Sequence, residues 1–354
     1  MEKLKIGIIG IGGIAQGSHI PAYIMQKNAE IVAVCDIIEE RARRAKEKCF
    51  KNAKVYTDYK ELLKDPDIQA VDICTPNYLH SIIAVDAMEA GKHVLCEKPD
   101  AVNPQEAAKM KEASERTGKK LMVIRNNRFI VSSQEAKKIA EDGGFGEIYA
   151  ARCGWIRRRG IPGKGGWFTT KELSGGGPLI DLGVHMIDLA VWLMGNPRPV
   201  AVSGGTFCKF ADSDSSDSKN SAFGDKVENG TFDVEDLAMG FIRFENGACL
   251  QIEFSWASNI KREKRFVELR GTKAGLQWEN GAATIFYEEN GKQKNKKLKK
   301  TLGVEGHSNN IANFIDYVLF DKEPVYKPQQ GLDMIKILSA IYESAQTGRE
   351  VVLD

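Results

Sequence analysis

Short apolar runs alternate with amphipathic stretches over the first third of the chain. Residues 4–9, 30–35, 70–73, 93–96 and 120–124 have the apolar character of buried strands. Residues 14–25, 39–49, 80–90 and 104–117 carry apolar positions at helical spacing. Such alternation predicts a parallel, doubly wound sheet of the Rossmann kind. Right-handed crossovers gather the carboxyl ends of its strands on one edge, where ligands bind.

After about residue 125 the pattern changes. Strand candidates at 147–155, 200–208, 237–244, 248–256, 265–270 and 283–288 mostly follow one another without an intervening helix. Asn246-Gly247 between two of them is a hairpin signal. Helices are expected at 180–194, 308–320 and 331–347. The chain therefore divides into a Rossmann-type domain over 1–125 and an α+β domain with a largely antiparallel sheet over 126–354. Residues 211–229 are too polar to build a core. The six lysines of 292–300 lack interleaved aromatic residues and suit a solvated loop or an edge hairpin. No internal repeat is found.

Composition narrows the function. A length of 354 residues fits two domains, and 42% hydrophobic residues suffice for a sizeable core. Fifty Lys and Arg against 48 Asp and Glu leave a charge of +2, so no overall field draws nucleic acid or an anionic membrane. No apolar run is long enough to span a bilayer. Residues 1–15 resemble a signal peptide only until glycines 7, 10, 12 and 13 interrupt them, and they are expected to form a strand and turn. The seven cysteines are odd in number and show no C-x-x-C spacing. That argues against a disulfide framework or a zinc site and favours a reducing cytoplasm.

Gly10-Ile11-Gly12-Gly13-Ile14-Ala15 follows the first strand and opens a helix, in the pattern G-x-G-x-x-A. Gly10 permits the tight turn, Gly12 lets a pyrophosphate approach the backbone, and Ala15 allows close helix–strand packing. The helix start, with Gly13 and Ile14, offers free N–H groups to phosphate. Asp36 closes the second strand, where a carboxylate accepts hydrogen bonds from an adenosine ribose and repels a 2′-phosphate. NAD is expected over NADP, although Arg41, Arg43 and Arg44 nearby could offset the repulsion.

Lys98 stands where the 93–96 strand runs into Glu97-Lys98-Pro99, on the edge expected to hold the cofactor. Pro99 restricts Lys98 to extended backbone. Asp181, His185 and Asp188, at spacings of four and three, would share one helix face. Three readings of that face stay open: local hydrogen bonding, metal ligation without a third histidine, or acid–base catalysis. Between the domains, Trp155, Arg157–Arg159 and Trp167 form a candidate sugar-binding stretch, with Arg158 as its guanidinium donor. An ordinary basic connection is the competing reading. His307, flanked by Gly306 and Ser308, either faces the same cleft or belongs to a helix cap.

These pieces together resemble the Gfo/Idh/MocA family, the glucose–fructose oxidoreductase, inositol dehydrogenase and rhizopine catabolism enzymes. The match includes Gly10–Ala15, Asp36, Thr75-Pro76-Asn77 with His80, Glu97-Lys98-Pro99, Asn126 with Arg128, Gly175–Gly177 with Asp181 and His185, and Ala340–Ala345. The resemblance implies a Rossmann domain, an open-faced sheet domain that pairs into homodimers or homotetramers, and NAD(P)-linked chemistry on a sugar, sugar derivative or cyclitol. It implies that Lys98, Asp181 and His185 are catalytic. Thr75, Asn77 and His80 would line the cofactor cleft, and Glu97 would lie near the nicotinamide ribose. His80 could equally cap the helix that follows. Asn126 and Arg128 would face the substrate. His185 would act as general base, while Lys98 stabilises the reacting oxygen. The two roles exchange if burial lowers the lysine's pKa. Metal is not expected. Two other functions fit less well: a glycosidase working through transient NAD oxidation, and a non-catalytic NAD or sugar sensor.

Overall fold

Leu-Lys-Ile-Gly-Ile-Ile becomes strand β1 (Leu4–Ile9), almost wholly buried. The computed structural model describes residues 3–212, 224–299 and 305–353 and separates them into two units. One unit holds Met1–Asn126 and Val304–Leu332, the other Asn127–Gly303 and Asp333–Asp354.

In the first unit β1 is joined by β2 (Ala29–Cys35), β3 (Lys54–Tyr56), β4 (Ala70–Ile73), β5 (His93–Cys96) and β6 (Leu121–Val123). All pair in parallel, in the order β3-β2-β1-β4-β5-β6. This is the doubly wound Rossmann order, and it reverses beside β1. In such a sheet the connections leaving β1 and β4 run to opposite faces, and ligands bind at the carboxyl edge beside them. β3, three residues long and partly polar, has no sequence signal. Local chemistry sets the helices. In Pro104–Thr117, the Asn103 side chain accepts from the Glu106 amide, Pro104 fixes the first turn, and Gly118 at φ +66° ends it.

The first unit also takes back the segment 304–332, a return absent from a simple division at residue 125. Buried polar groups hold it. The Arg125 amide donates to Asn310 Oδ1 at 2.7 Å. Asp100 forms a buried ion pair with Arg125 and accepts from the Tyr326 hydroxyl. Gly331 passes so close that a Cβ there would stand 2.0 Å from Asp100 Oδ1.

The second unit is built on nine strands. They are β7 (Ile148–Ile156), β8 (Pro199–Phe207), β9 (Leu237–Phe244), β10 (Cys249–Ser255), β11 (Lys264–Gly271), β12 (Ala274–Glu279), β13 (Ala282–Glu289), β14 (Lys292–Lys297) and β15 (Val351–Val352). Their order is β14-β13-β12-β11-β7-β10-β9-β8-β15, antiparallel except between β7 and β10. The lysine run forms the exposed edge strand β14. Of the polar stretch 211–229, residues 213–223 lie outside the described residues. Helix Gly183–Leu193 covers one face of the sheet; Gly183 faces the Phe254 ring, 3.3 Å from where its Cβ would be. Met239, Phe241 and Phe286 remain partly exposed on the sheet. Among the described residues no single helix is long and apolar enough to cross a membrane.

The helix expected over 180–194 is broken. Pro178–Asp181 and Gly183–Leu193 are separate, and the axis turns by 48° between Lys171–Asp181 and Gly183–Leu193. The His185 amide bonds the Leu182 carbonyl instead of the Asp181 carbonyl that a continuous α-helix would offer.

Asp100→Ala should leave Arg125 buried without its carboxylate, at a cost of about 3–5 kcal/mol. Tyr326→Phe should cost about 1 kcal/mol, since one hydrogen bond is lost. Urea unfolding midpoints measure both, and equal small shifts would refute the ordering.

Candidate active site

At the carboxyl edge of the first unit's sheet the loops after β1, β2 and β4 meet. Gly10 turns at φ +91°, and a Cβ there would lie 2.7 Å from the Cys74 carbonyl oxygen, so the loops after β1 and β4 touch through backbone. Around Gly12 the space is open. The chain then passes through Gly13 and Ile14 into a π-helical turn, Ala15–His19, that continues as helix Ile20–Met25. Asp36 is fixed by two backbone donors, Ile11 N to Oδ2 and Ile38 N to Oδ1, both at 2.8 Å. Arg43 and Arg44 are paired with Glu39 and Glu40, and Arg41 stands in the first turn of the same helix, Glu39–Cys49. On the neighbouring loop Asn77 is buried, and the Thr75 hydroxyl is buried without a hydrogen-bond partner. An open glycine, a carboxylate after β2 and an unsatisfied hydroxyl after β4 fit a dinucleotide.

His80 differs from its expected place on the cleft wall. It is fully buried, with Nδ1 2.7 Å from the Pro99 carbonyl and Nε2 2.9 Å from the Thr75 carbonyl. It clamps the Thr75 loop to the Lys98–Pro99 turn. Burial lowers its pKa.

Glu97 belongs to a buried chain of charged groups. His19 Nδ1 meets Asp72 Oδ2 at 2.7 Å, and its Nε2 meets Glu97 Oε1 at 2.7 Å. His307, expected at a sugar, lies here, with Nε2 3.6 Å from Glu97 Oε1. Glu97 Oε2 also accepts from the Lys98 amide at 3.0 Å. Burial opposes the charge on His19, but Asp72 and Cys74 together outweigh it and raise the pKa well above the usual value. Burial likewise opposes ionisation of Glu97, but the two histidines hold its pKa well below the carboxylate range. The donor atoms of His19, Glu97 and His307 lie within 4.8 Å of one another, close enough to ligate a cation. In this structure both His19 nitrogens are already held by carboxylates. Asn126, in the same unit, has a buried Oδ1 without a partner.

The second unit carries the expected acid–base residues. Glu235 sits under the turn at Gly177, accepting from the Gly177 and Leu179 amides at 3.0 Å and from the Tyr342 hydroxyl at 2.8 Å. A carboxylate at that helix start fixes the short segment ending in Asp181. Trp256 Nε1 donates to Asp181 Oδ2 at 2.9 Å. The His185 ring lies 5.9 Å from Trp155, tilted by 52°. Asp188 accepts two bonds from Arg128, at 2.8 and 2.7 Å. Arg128, expected at the substrate, is thus 1% exposed and engaged in a buried ion pair. Arg158 is exposed; Arg157, two residues after Trp155, stacks on that indole at 5.0 Å instead. Trp167 stacks on Phe168 at 3.7 Å.

Comparison with known proteins decides the family. Residues 4–125 match the oxidoreductase family model with an NAD-binding Rossmann fold, and 133–277 match the GFO/IDH/MocA C-terminal domain. The D-glucoside 3-dehydrogenase of Escherichia coli K12 is 34% identical over 99% of this chain and 98% of its own. The chain belongs to the Gfo/Idh/MocA family. Levoglucosan dehydrogenase of Pseudarthrobacter phenanthrenivorans is 32% identical, over 78% of this chain and 73% of its own. A structure of levoglucosan dehydrogenase with NADH and L-sorbose superposes with a TM-score of 0.88 at 25% identity, covering 100% of both chains.

Within this Gfo/Idh/MocA chain, sequence reasoning missed His19, Asp72, Glu235 and Trp256. His19 alone left a signal, a histidine four residues after Ala15 in the loop helix.

The charged chain has a definite pH signature. A raised histidine pKa contributes fully below its ordinary 6.5 and is lost as pH rises through the folded value. A lowered glutamate pKa contributes fully above its ordinary 4.5 and is lost as pH falls. His19→Gln should therefore lower the Tm most between about pH 4.5 and 6.5. Thermal melts across pH measure the gap, and a gap that widens steadily with pH would contradict this assignment.

Proposed function

We propose that this oxidoreductase moves a hydride between NAD and a secondary alcohol or ketone of a sugar, sugar derivative or cyclitol. The observation that carries the reading is His185, an imidazole beside the Trp155 indole, in a unit where Trp256 also holds Asp181. Aromatic faces pack against sugar C–H surfaces, and imidazole is the side chain suited to proton exchange near neutrality. Relatives that act on a glucoside and on levoglucosan support the substrate class.

Bound nicotinamide supplies the hydride acceptor or donor. Gly10, Gly12, Gly13 and Ile14 would seat the pyrophosphate, and Asp36 the adenosine ribose. The Thr75 hydroxyl, Asn77 and Glu97 would complete the dinucleotide contacts, and Asn126 Oδ1 would gain a donor from a ligand. His185 would take the alcohol proton in oxidation and return it in reduction. Lys98 would donate a hydrogen bond to the reacting oxygen and stabilise its developing negative charge. Asp181, oriented by Trp256, would hold a substrate hydroxyl. The exposed apolar side chains Met239, Phe241 and Phe286 support pairing of the sheet with a second copy.

NADH formation across a panel of glycosides, aldoses and inositols tests this function. Net NADH with one of them is expected; cofactor binding without turnover on the whole panel would replace the enzyme with a sensor. Lys98→Ala and His185→Ala should each lower kcat at least ~100-fold while NADH affinity changes only a few-fold. Either variant retaining near-full turnover removes that residue from catalysis. Asp36→Ala should narrow the preference for NAD over NADP, read from KM for each; an unchanged ratio would remove Asp36 from cofactor selection.

A further inference from the structure

Arg265 is a cation without an acid. It lies opposite Trp155 in the β7–β11 register, with its guanidinium 5.0 Å from the Trp155 ring and 5.3 Å from the Trp278 ring. Among the described residues its side chain has no carboxylate and no hydrogen-bond acceptor. Arg157 stacks on the same Trp155 ring at 5.0 Å, and among the described residues its guanidinium donates only to the Gly160 carbonyl, at 3.0 Å. Burial, and then the charge of Arg157, lower the pKa of Arg265.

A second observation points the same way. Trp278 is fully buried, and its indole N–H has no acceptor. Buried donors are ordinarily satisfied, and a partly buried cation ordinarily meets an anion. Two acids close to Arg265 in sequence or register are engaged elsewhere: Glu263 accepts from the Arg158 amide, and Glu279 pairs with Arg262. Stacking on two indoles accounts for some of the guanidinium's placement, but among the described residues no oxygen accepts from its N–H groups.

We infer that Arg265 and Arg157 form a binding site for an oxyanion carried on the sugar, a carboxylate or a phosphate monoester. Trp155 links this site to His185, so the anion anchors the same substrate whose hydroxyl reacts. The inference rests on the dehydrogenase reading for its ligand being a sugar. It adds that the sugar is acidic. A guanidinium pair offers forked donors to either oxyanion, and low solvent access strengthens each charge-assisted bond.

Isothermal titration of the NAD-loaded protein with methyl β-D-glucoside, methyl β-D-glucuronide and methyl β-D-glucoside 6-phosphate tests the site. One or both anionic glycosides should bind about tenfold or more tightly than the neutral one. Whichever binds tighter identifies carboxylate or phosphate as the source. Arg265→Gln should bring the ratio of anionic to neutral affinity close to one, and Arg265→Lys should restore part of it. Equal binding of all three, preference for the neutral glycoside, or no binding of the anionic pair overturns the inference. So does an Arg265→Gln protein that melts earlier but keeps the wild-type ratio, since stacking alone then explains the arginine. The two readings fail separately. Turnover of neutral sugars without charge preference removes only the anion site. Charge-dependent binding without any NADH across the panel removes only the dehydrogenase.

Discussion

An ionised side chain removed from water is stable only if protein groups replace its hydration, and both units are organised around that constraint. In the first unit His19 lies between the carboxylates of Asp72 and Glu97, and Asp100 lies between Arg125 and Tyr326. In the second, Arg128 and Asp188 neutralise each other, and Glu235 is surrounded by the Gly177 and Leu179 amides and the Tyr342 hydroxyl. Three of these clusters hold a segment that carries a candidate site residue: Glu97 next to Lys98, the helix of His185, and the turn that leads to Asp181. Against this background Arg265 stands out, because it lies among aromatic rings and another cation and, among the described residues, no oxygen accepts from its guanidinium.

The same clusters separate what the sequence makes legible from what it conceals. The glycine loop and Asp36 are readable because their chemistry is set by near neighbours in a strand–turn–helix unit. Strands such as Leu4–Ile9 and Leu237–Phe244 are readable because period and apolarity are local properties. Charge pairing is not local. Arg128 finds Asp188 60 residues away, and His19 finds Asp72 and Glu97 at separations of 53 and 78. An arginine beside an asparagine therefore reads as a ligand contact when it is a buried counter-ion.

Helix continuity misled for a related reason. Spacings of four and three put Asp181, His185 and Asp188 on one face only if the helix runs unbroken, and the break at Leu182 is invisible to periodicity. Glu235 anchors the first piece and the packing of Gly183 on Phe254 positions the second. Asp181 is then oriented by an indole from the strand end, while Asp188 turns inward to Arg128.

The return of Val304–Leu332 bears on how the protein is made. When a ribosome has released the last strand of the nucleotide-binding sheet, Asp100 and Arg125 already exist, but Asn310 and Tyr326 have yet to be translated. The polar interior around Asp100 and Arg125 is complete only once residue 326 has been added. Maturation of the two units is thereby coupled in time, although each contains its own sheet.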